Sequence, residues 1–179
     1  MPGEPDDFNG RLRRSREGYT AGGVTFHWTS GVFQMLVRRL DVYHYLTASS
    51  WEEQTARNPT MEQIEEAVRR LDRFHYPWVW LRLTEEQTDD NYMTVMGGNG
   101  AYWLSISVDG LDQRRVSFPD QGSDEVQVWT SDQGFSDEQR HICFDIEIVL
   151  KAAKFFADTA DFDPTLPWES QERLSDRTP

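Results

Sequence analysis

The chain has 179 residues, a formal net charge of −13 and 37% hydrophobic residues. That length suits one domain with irregular ends and is enough to bury a core. No run approaches the roughly 18 apolar residues a membrane helix needs, and Arg11, Arg13, Arg14 and Arg16 have no apolar stretch behind them, so no secretory signal is expected.

Seven Trp, ten Phe and six Tyr predict an aromatic-rich core framed by polar loops. The single Cys143 excludes an intrachain disulfide and gives no metal-ligand spacing. Between Ile142 and Phe144 it reads as a core thiol of a protein from a reducing cytoplasm. From residue 84 to 138 the chain carries twelve acids against two basic residues, Arg114 and Arg115. Such a field repels nucleic acid and attracts a basic partner. The plainer reading is a solvated surface.

Residues 1–34 read as a disordered or loosely attached extension, irregular over 1–22 with a short strand at 24–28. A single α+β domain is expected over 35–169, and a frayed tail over 170–179. A strand is expected from about 35 to 46, where Val42-Tyr43-His44-Tyr45-Leu46 has strand composition. Pro59-Thr60-Met61-Glu62-Gln63 starts a helix over about 61–73, with Thr60 and Gln63 as a capping box. Ile64, Ala67, Val68 and Leu71 keep its period. Pro77 stops it, and strands follow at 78–83 and 92–96.

Gly97-Gly98-Asn99-Gly100 is expected as a hairpin turn whose residues accept positive φ. A phosphate loop is the alternative there, but a strand follows in place of a helix N-terminus. In the return strand, Tyr102, Leu104, Ile106 and Val108 alternate with Trp103, Ser105 and Ser107. Weaker strands at 115–118 and 125–130 complete an antiparallel meander with one buried face. A long helix over about 144–158 covers that face through Ile146, Val149, Leu150, Ala153, Phe156 and Ala157. Glu147 and Lys151 are placed for an (i, i+4) pair.

The four histidines, His27, His44, His75 and His141, have no metal spacing. A trio of His141, Cys143 and Asp145 can be drawn, but alternating faces keep it from converging; a surface histidine and a capping aspartate are expected instead. Trp78, Trp80 and Trp103 on strands suggest a base-stacking platform, which the acidic surroundings argue against. Core packing is the reading for Trp78 and Trp80. Trp103, opposite the apolar face, is read as an exposed interface anchor.

The ordered set of the helix from Thr60, Val79-Trp80-Leu81, Gly97-Gly98, the strand Tyr102 to Val108, Leu150-Lys151-Ala152-Ala153-Lys154-Phe155-Phe156 and the tail Leu166-Pro167-Trp168-Glu169 resembles the type 1 immunity protein family of bacterial polymorphic toxin systems. The likeness covers about residues 59–169, roughly three fifths of the chain. It departs before the last helix, where relatives often carry Gly-Gly-Gln and this chain has Ser131-Asp132-Gln133-Gly134. The first 50 residues have no counterpart.

The resemblance implies a cytoplasmic immunity protein that is not an enzyme and needs no cofactor or metal. It neutralises a cognate toxin domain, a basic protein of nucleic-acid or nucleotide deaminase type, by stoichiometric binding. The expected partner-facing residues are Glu85, Glu86, Asp89, Asp90, Trp103, Asp109, Asp112, Asp120, Asp124, Glu125 and Asp132. Thr60, Gly97, Gly98, Phe156 and Trp168 are expected as structural. The alternatives are an interaction subunit of another bacterial complex and a small-ligand-binding α+β enzyme.

Overall fold

The computed structural model describes residues 35–86, 90–108, 110 and 112–171, and the backbone of strands at 18–21 and 24–27. The chain divides into two units, residues 1–33 and 34–179. In the first, β1 (Gly18–Ala21) pairs antiparallel with β2 (Val24–His27). Strand β2 lies within the strand expected at 24–28, whereas β1 falls inside the stretch expected to be irregular. Otherwise the expected extension lies outside the described residues, as do residues 172–179 of the tail.

The second unit runs β3 (Arg39–Thr47), β4 (Ser50–Arg57), α1 (Met61–Arg69), β5 (Trp78–Arg82), β6 (Tyr92–Gly98), β7 (Ala101–Val108), β8 (Asp112–Val116), β9 (Glu125–Trp129), β10 (Phe135–Glu138), β11 (Ile142–Cys143), α2 (Ile146–Thr159) and β12 (Trp168–Ser170). It is an α+β arrangement built on one large antiparallel sheet, ordered β12-β8-β7-β6-β5-β3-β4, with β11 joining β7 beyond the end of β8. Strands β9 and β10 form a separate hairpin. The strand expected at 125–130 to complete the meander is β9, which pairs with β10 outside the large sheet; from β5 to β8 the chain meanders as expected. Before that it does not: α1 carries the chain from the edge strand β4 back across to β5, on the other side of β3.

Both helices lie on one face. Ile64, Ala67, Val68 and Leu71 from α1 and its end, and Val149, Leu150, Ala152, Ala153, Phe156 and Ala157 from α2, bury against Leu40, Val79, Leu81, Val95, Leu104 and Ile106 of the sheet. Thr60 and Gln63 form the expected capping box, with Thr60 N donating to Gln63 Oε1 at 2.8 Å. Helix α1 stops at Arg69, short of the expected 73. Asp72 accepts from the amides of Phe74 and Tyr76 (3.0 and 2.8 Å) and turns the chain instead. Helix α2 begins at Ile146, two residues later than expected, because Asp145 stands outside it as the N-cap and accepts from Glu147 N. The expected Glu147–Lys151 pair does not form. Glu147 reaches Arg69 of α1 (3.1 Å), and Lys151 reaches the buried Asp163 (3.2 Å), so both charges tie α2 to other segments.

The hairpin turn at 97–100 holds. Asn99 and Gly100, at φ 50° and 83°, form the two-residue connection between β6 and β7. Gly98 serves a different purpose. At φ 131° it lets the turn after α1 lie against β6, and a Cβ there would stand 2.3 Å from Leu71 O.

Candidate functional site

Period-two alternation sends one set of side chains to the helices and the other to the opposite face. Across that second face Thr55, Asp41, Trp80, Thr94, Ser105, Arg115 and Glu169 stand side by side on seven successive strands. The neighbouring row, Val42, Val79, Val95 and Leu104, is wholly apolar and faces the helices. The β9–β10 hairpin covers part of the second face, packing Val126, Val128, Trp129 and Phe135 against Met96, Ala101, Trp103 and Ile142.

The uncovered part is a cleft of about 380 Å³. Its position follows from side-chain size. The sheet offers the small buried Thr94 and Ser105 at its centre, Trp80 on one flank and Arg115 on the other. Trp78, Trp129 and Phe135 continue the aromatic wall, and Tyr92 and Gln113 stand at one end. The rings support one another: Trp78 and Trp129 stack at 5.3 Å and 22°, and Trp80 and Tyr92 at 4.7 Å and 25°. The indole nitrogens of Trp78 and Trp80 are buried and meet no acceptor among the described residues.

Two ionic clusters hold the walls. Asp41, 0% exposed, accepts from Arg39 (2.7 Å), Arg82 (3.0 Å) and Thr55 (2.8 Å). Burial alone would raise the Asp41 carboxyl; those three hydrogen bonds outweigh it and hold it below the usual carboxylate range. The Arg82 guanidinium lies 3.9 Å from the centre of the Trp80 ring, a cation–π contact. In the second cluster Asp137 accepts from His141 Nδ1 (2.8 Å), Trp103 Nε1 (2.8 Å) and Arg115 (3.3 Å), and Arg115 also meets Glu169 at 2.8 Å. Burial works to raise Asp137 and Glu169. Hydrogen bonds from His141, Glu138 N and Trp103 on one, and from Arg115 and Ser117 on the other, hold both low. His141 Nε2 lies 2.9 Å from Glu169 Oε1 but off the hydrogen-bonding axis.

His141 is therefore not a surface residue; it is 1% exposed. Its carboxylate partner is Asp137, four residues before it, and not Asp145, four residues after. Cys143 packs in the helix-side core, where burial pushes its thiol up, and Asp145 caps α2. The three side chains of the drawn trio point to three places. Nor does His141 line the cleft. Among the described residues no set of three or more His, Cys, Asp or Glu side chains is arranged to hold a metal ion.

Trp103, expected as an exposed anchor, is 6% exposed under the β9–β10 hairpin, with Phe135 edge-on to it. The expected acids are dispersed. Glu85, Glu86 and Asp90 in the β5–β6 connection and Asp112 at the start of β8 share one end of the sheet. Asp90 there lies against Gly110. Asp120, Asp124 and Glu125 surround the start of β9, and Asp132 sits in the β9–β10 turn. Asp89 and Asp109 lie outside the described residues. None of the described acids in this set lines the cleft: Asp112 stands on the face of β8 opposite Gln113 and pairs with Arg114 (2.7 Å), and Glu85 pairs with Arg57 (2.9 Å). Of the structural set, Phe156 is fully buried, and Trp168 packs on the helix-side core and donates to Asp163 O at 2.8 Å.

No family model and no curated protein matches the chain. It is similar in structure to a hypothetical protein from Neisseria gonorrhoeae known from a crystal structure, at 11% identity and a TM-score of 0.50, over 77% of this chain and 98% of that one. At that identity the likeness speaks to fold alone. No helix among the described residues is long and apolar enough to cross a membrane.

Proposed function

We propose that this chain is an immunity protein that binds and neutralises a cognate bacterial toxin, a deaminase of nucleic acid or nucleotides, by stoichiometric protein–protein inhibition in the cytoplasm. The observation that carries the reading is an aromatic cleft lined by Trp78, Trp80, Tyr92, Trp129 and Phe135 on one face of the sheet of a chain whose net charge is −13. Aromatic side chains in a concave surface are the usual anchors of a protein interface. The chain's acidic balance draws in a partner whose own surface is basic because it handles phosphate-bearing substrates. Inhibition then follows from occupying that basic surface, with no chemical step by this chain.

The test is co-expression with candidate deaminase toxin domains, any encoded by a neighbouring gene first, scoring survival and co-purification. Protection and a complex that weakens as salt rises support the proposal. Full toxicity with a correctly folded chain present sinks it. The size of the cleft favours a second reading, since about 380 Å³ falls among small-molecule sites. A metabolite that stays bound through purification, with no effect on any toxin, would select it.

A further inference from the structure

We infer that the cleft holds an uncharged ring compound bearing a hydroxyl or carboxamide group. The inference rests on the small-molecule reading above and supplies the ligand's chemistry. Among the described residues two charged side chains line the cleft, Arg115 and Asp137, and both are already matched. Arg115 lies between Asp137 (3.3 Å) and Glu169 (2.8 Å), and Asp137 also accepts from His141 and Trp103. A charged ligand would give up its water here and find no counter-charge in return.

Neutral hydrogen-bonding groups remain to spare. Thr94 on the floor is 3% exposed, and no described residue bonds its hydroxyl. At one end the main-chain N–H of Gln171 donates to Gln113 O (2.8 Å), which brings two side-chain amides to the same part of the cleft. Gln113 gives one amide N–H to the Tyr92 hydroxyl (3.4 Å) and keeps its carbonyl oxygen and second N–H. Gln171 accepts from Ser105 (3.3 Å) and keeps its amide N–H groups. Donors and acceptors therefore stand together, and a hydroxyl or carboxamide answers both. The walls fit the same visitor. Tyr43 and Trp129 stack on Trp78, and Tyr92 and the Arg82 guanidinium cover Trp80. With those faces taken, the indoles offer ring edges, the electropositive part of an aromatic, which favour a ligand's oxygen. A volume of about 380 Å³ takes one ring with its substituent.

Benzamide, benzoate and benzamidine are nearly equal in shape and differ in charge, so they serve as probes of the whole chain in a saturation-transfer NMR titration. Benzamide should bind saturably and at least about tenfold more tightly than either ion, as burial of an unmatched charge requires. Thr94→Val keeps the shape and removes the hydroxyl, and should weaken benzamide about fivefold. Gln113→Glu should move the preference to benzamidine, with the circular dichroism of both variants unchanged. Should Thr94→Val not fold, Gln113→Glu decides. Binding of either ion as tightly as benzamide, silence from all three probes, or indifference to the changes at 94 and 113 would overturn the inference. If an ion is preferred, the ligand's chemistry is wrong and the small-molecule reading stands. If all three are silent while co-expression protects, the toxin reading stands by itself. If the probes behave as stated and no toxin is neutralised, the toxin reading alone fails.

Discussion

Trp103 Nε1 donates a 2.8 Å hydrogen bond to Asp137 Oδ2, joining the middle of the sheet to the hairpin that overlies it. Asp137 also takes His141 and Arg115, so one carboxylate gathers β7, β8, β10 and the turn before β11. Asp137→Asn keeps the shape and removes the charge. Its expected cost is about 2 kcal/mol, the worth of hydrogen bonds made to a charged group. Urea unfolding would measure it, and a change below about 0.5 kcal/mol, ordinary for a surface site, would show the cluster to be ornamental.

Asp41 makes a sharper case because it is fully buried between two arginines. Asp41→Ala strands Arg82, itself 4% exposed, without its counter-charge. The expected loss is about 3–5 kcal/mol. Asp41→Ala with Arg82→Met should recover part of it, and a double-variant cycle showing no coupling would contradict the account.

Acid should unfold the protein in a defined direction. Asp41, Asp137, Asp163 and Glu169 all hold their carboxyls below the usual range; in each, hydrogen bonds outweigh burial. A carboxyl that binds its proton less readily when folded stabilises the fold above its unfolded pKa of about 4. That contribution is lost as pH falls through the folded value. The urea midpoint should be level from pH 7 to about 5 and drop steeply below about 4. A midpoint that rises on acidification would refute the assignment.

Gly98→Ala should be among the most damaging single-methyl changes in the chain. The added carbon meets backbone atoms of Leu71 and Asp72 at 2.3–2.5 Å, at a φ of 131° that an L side chain rarely adopts. A loss of about 3 kcal/mol or more, or failure to fold, is expected. Gly100→Ala is the contrast: nothing lies within 4 Å of its Cβ, and only the φ of 83° opposes it. A loss near 1 kcal/mol is expected there.

Where side chains repeat with a period, the sequence was legible. The alternation from Tyr102 to Val108 and the stripe from Val149 to Ala157 placed β7 and α2 and the faces they turn to each other, but not the burial of the second face of β7 at Trp103, Ser105 and Ser107. The Thr60 cap was visible because its partner is three residues away. Strand β4 was not visible, because Ser50–Arg57 is a polar edge strand whose identity comes from pairing with β3. The short β10, β11 and β12 are likewise made by their neighbours. The cleft escaped for a related reason. Its small floor residues, Thr94 and Ser105, matter only through register, which sets Trp80 on one side and Arg115 on the other. Burial of Trp103 and His141 depends on the hairpin folding over them, and no local pattern signals that. The Asp137–His141 spacing was on view, but nothing in it outranked Asp145.

Strand β12 closes the outer edge of β8, and α2 just before it supplies Phe156 to the core. Leu36 N, near the opposite end of this unit, donates to Ala157 O at 2.7 Å. A nascent chain therefore cannot finish folding this unit until Ser170 has cleared the ribosomal tunnel, so the sheet stays open at β8 through most of the unit's emergence, and contacts so distant in sequence form slowly.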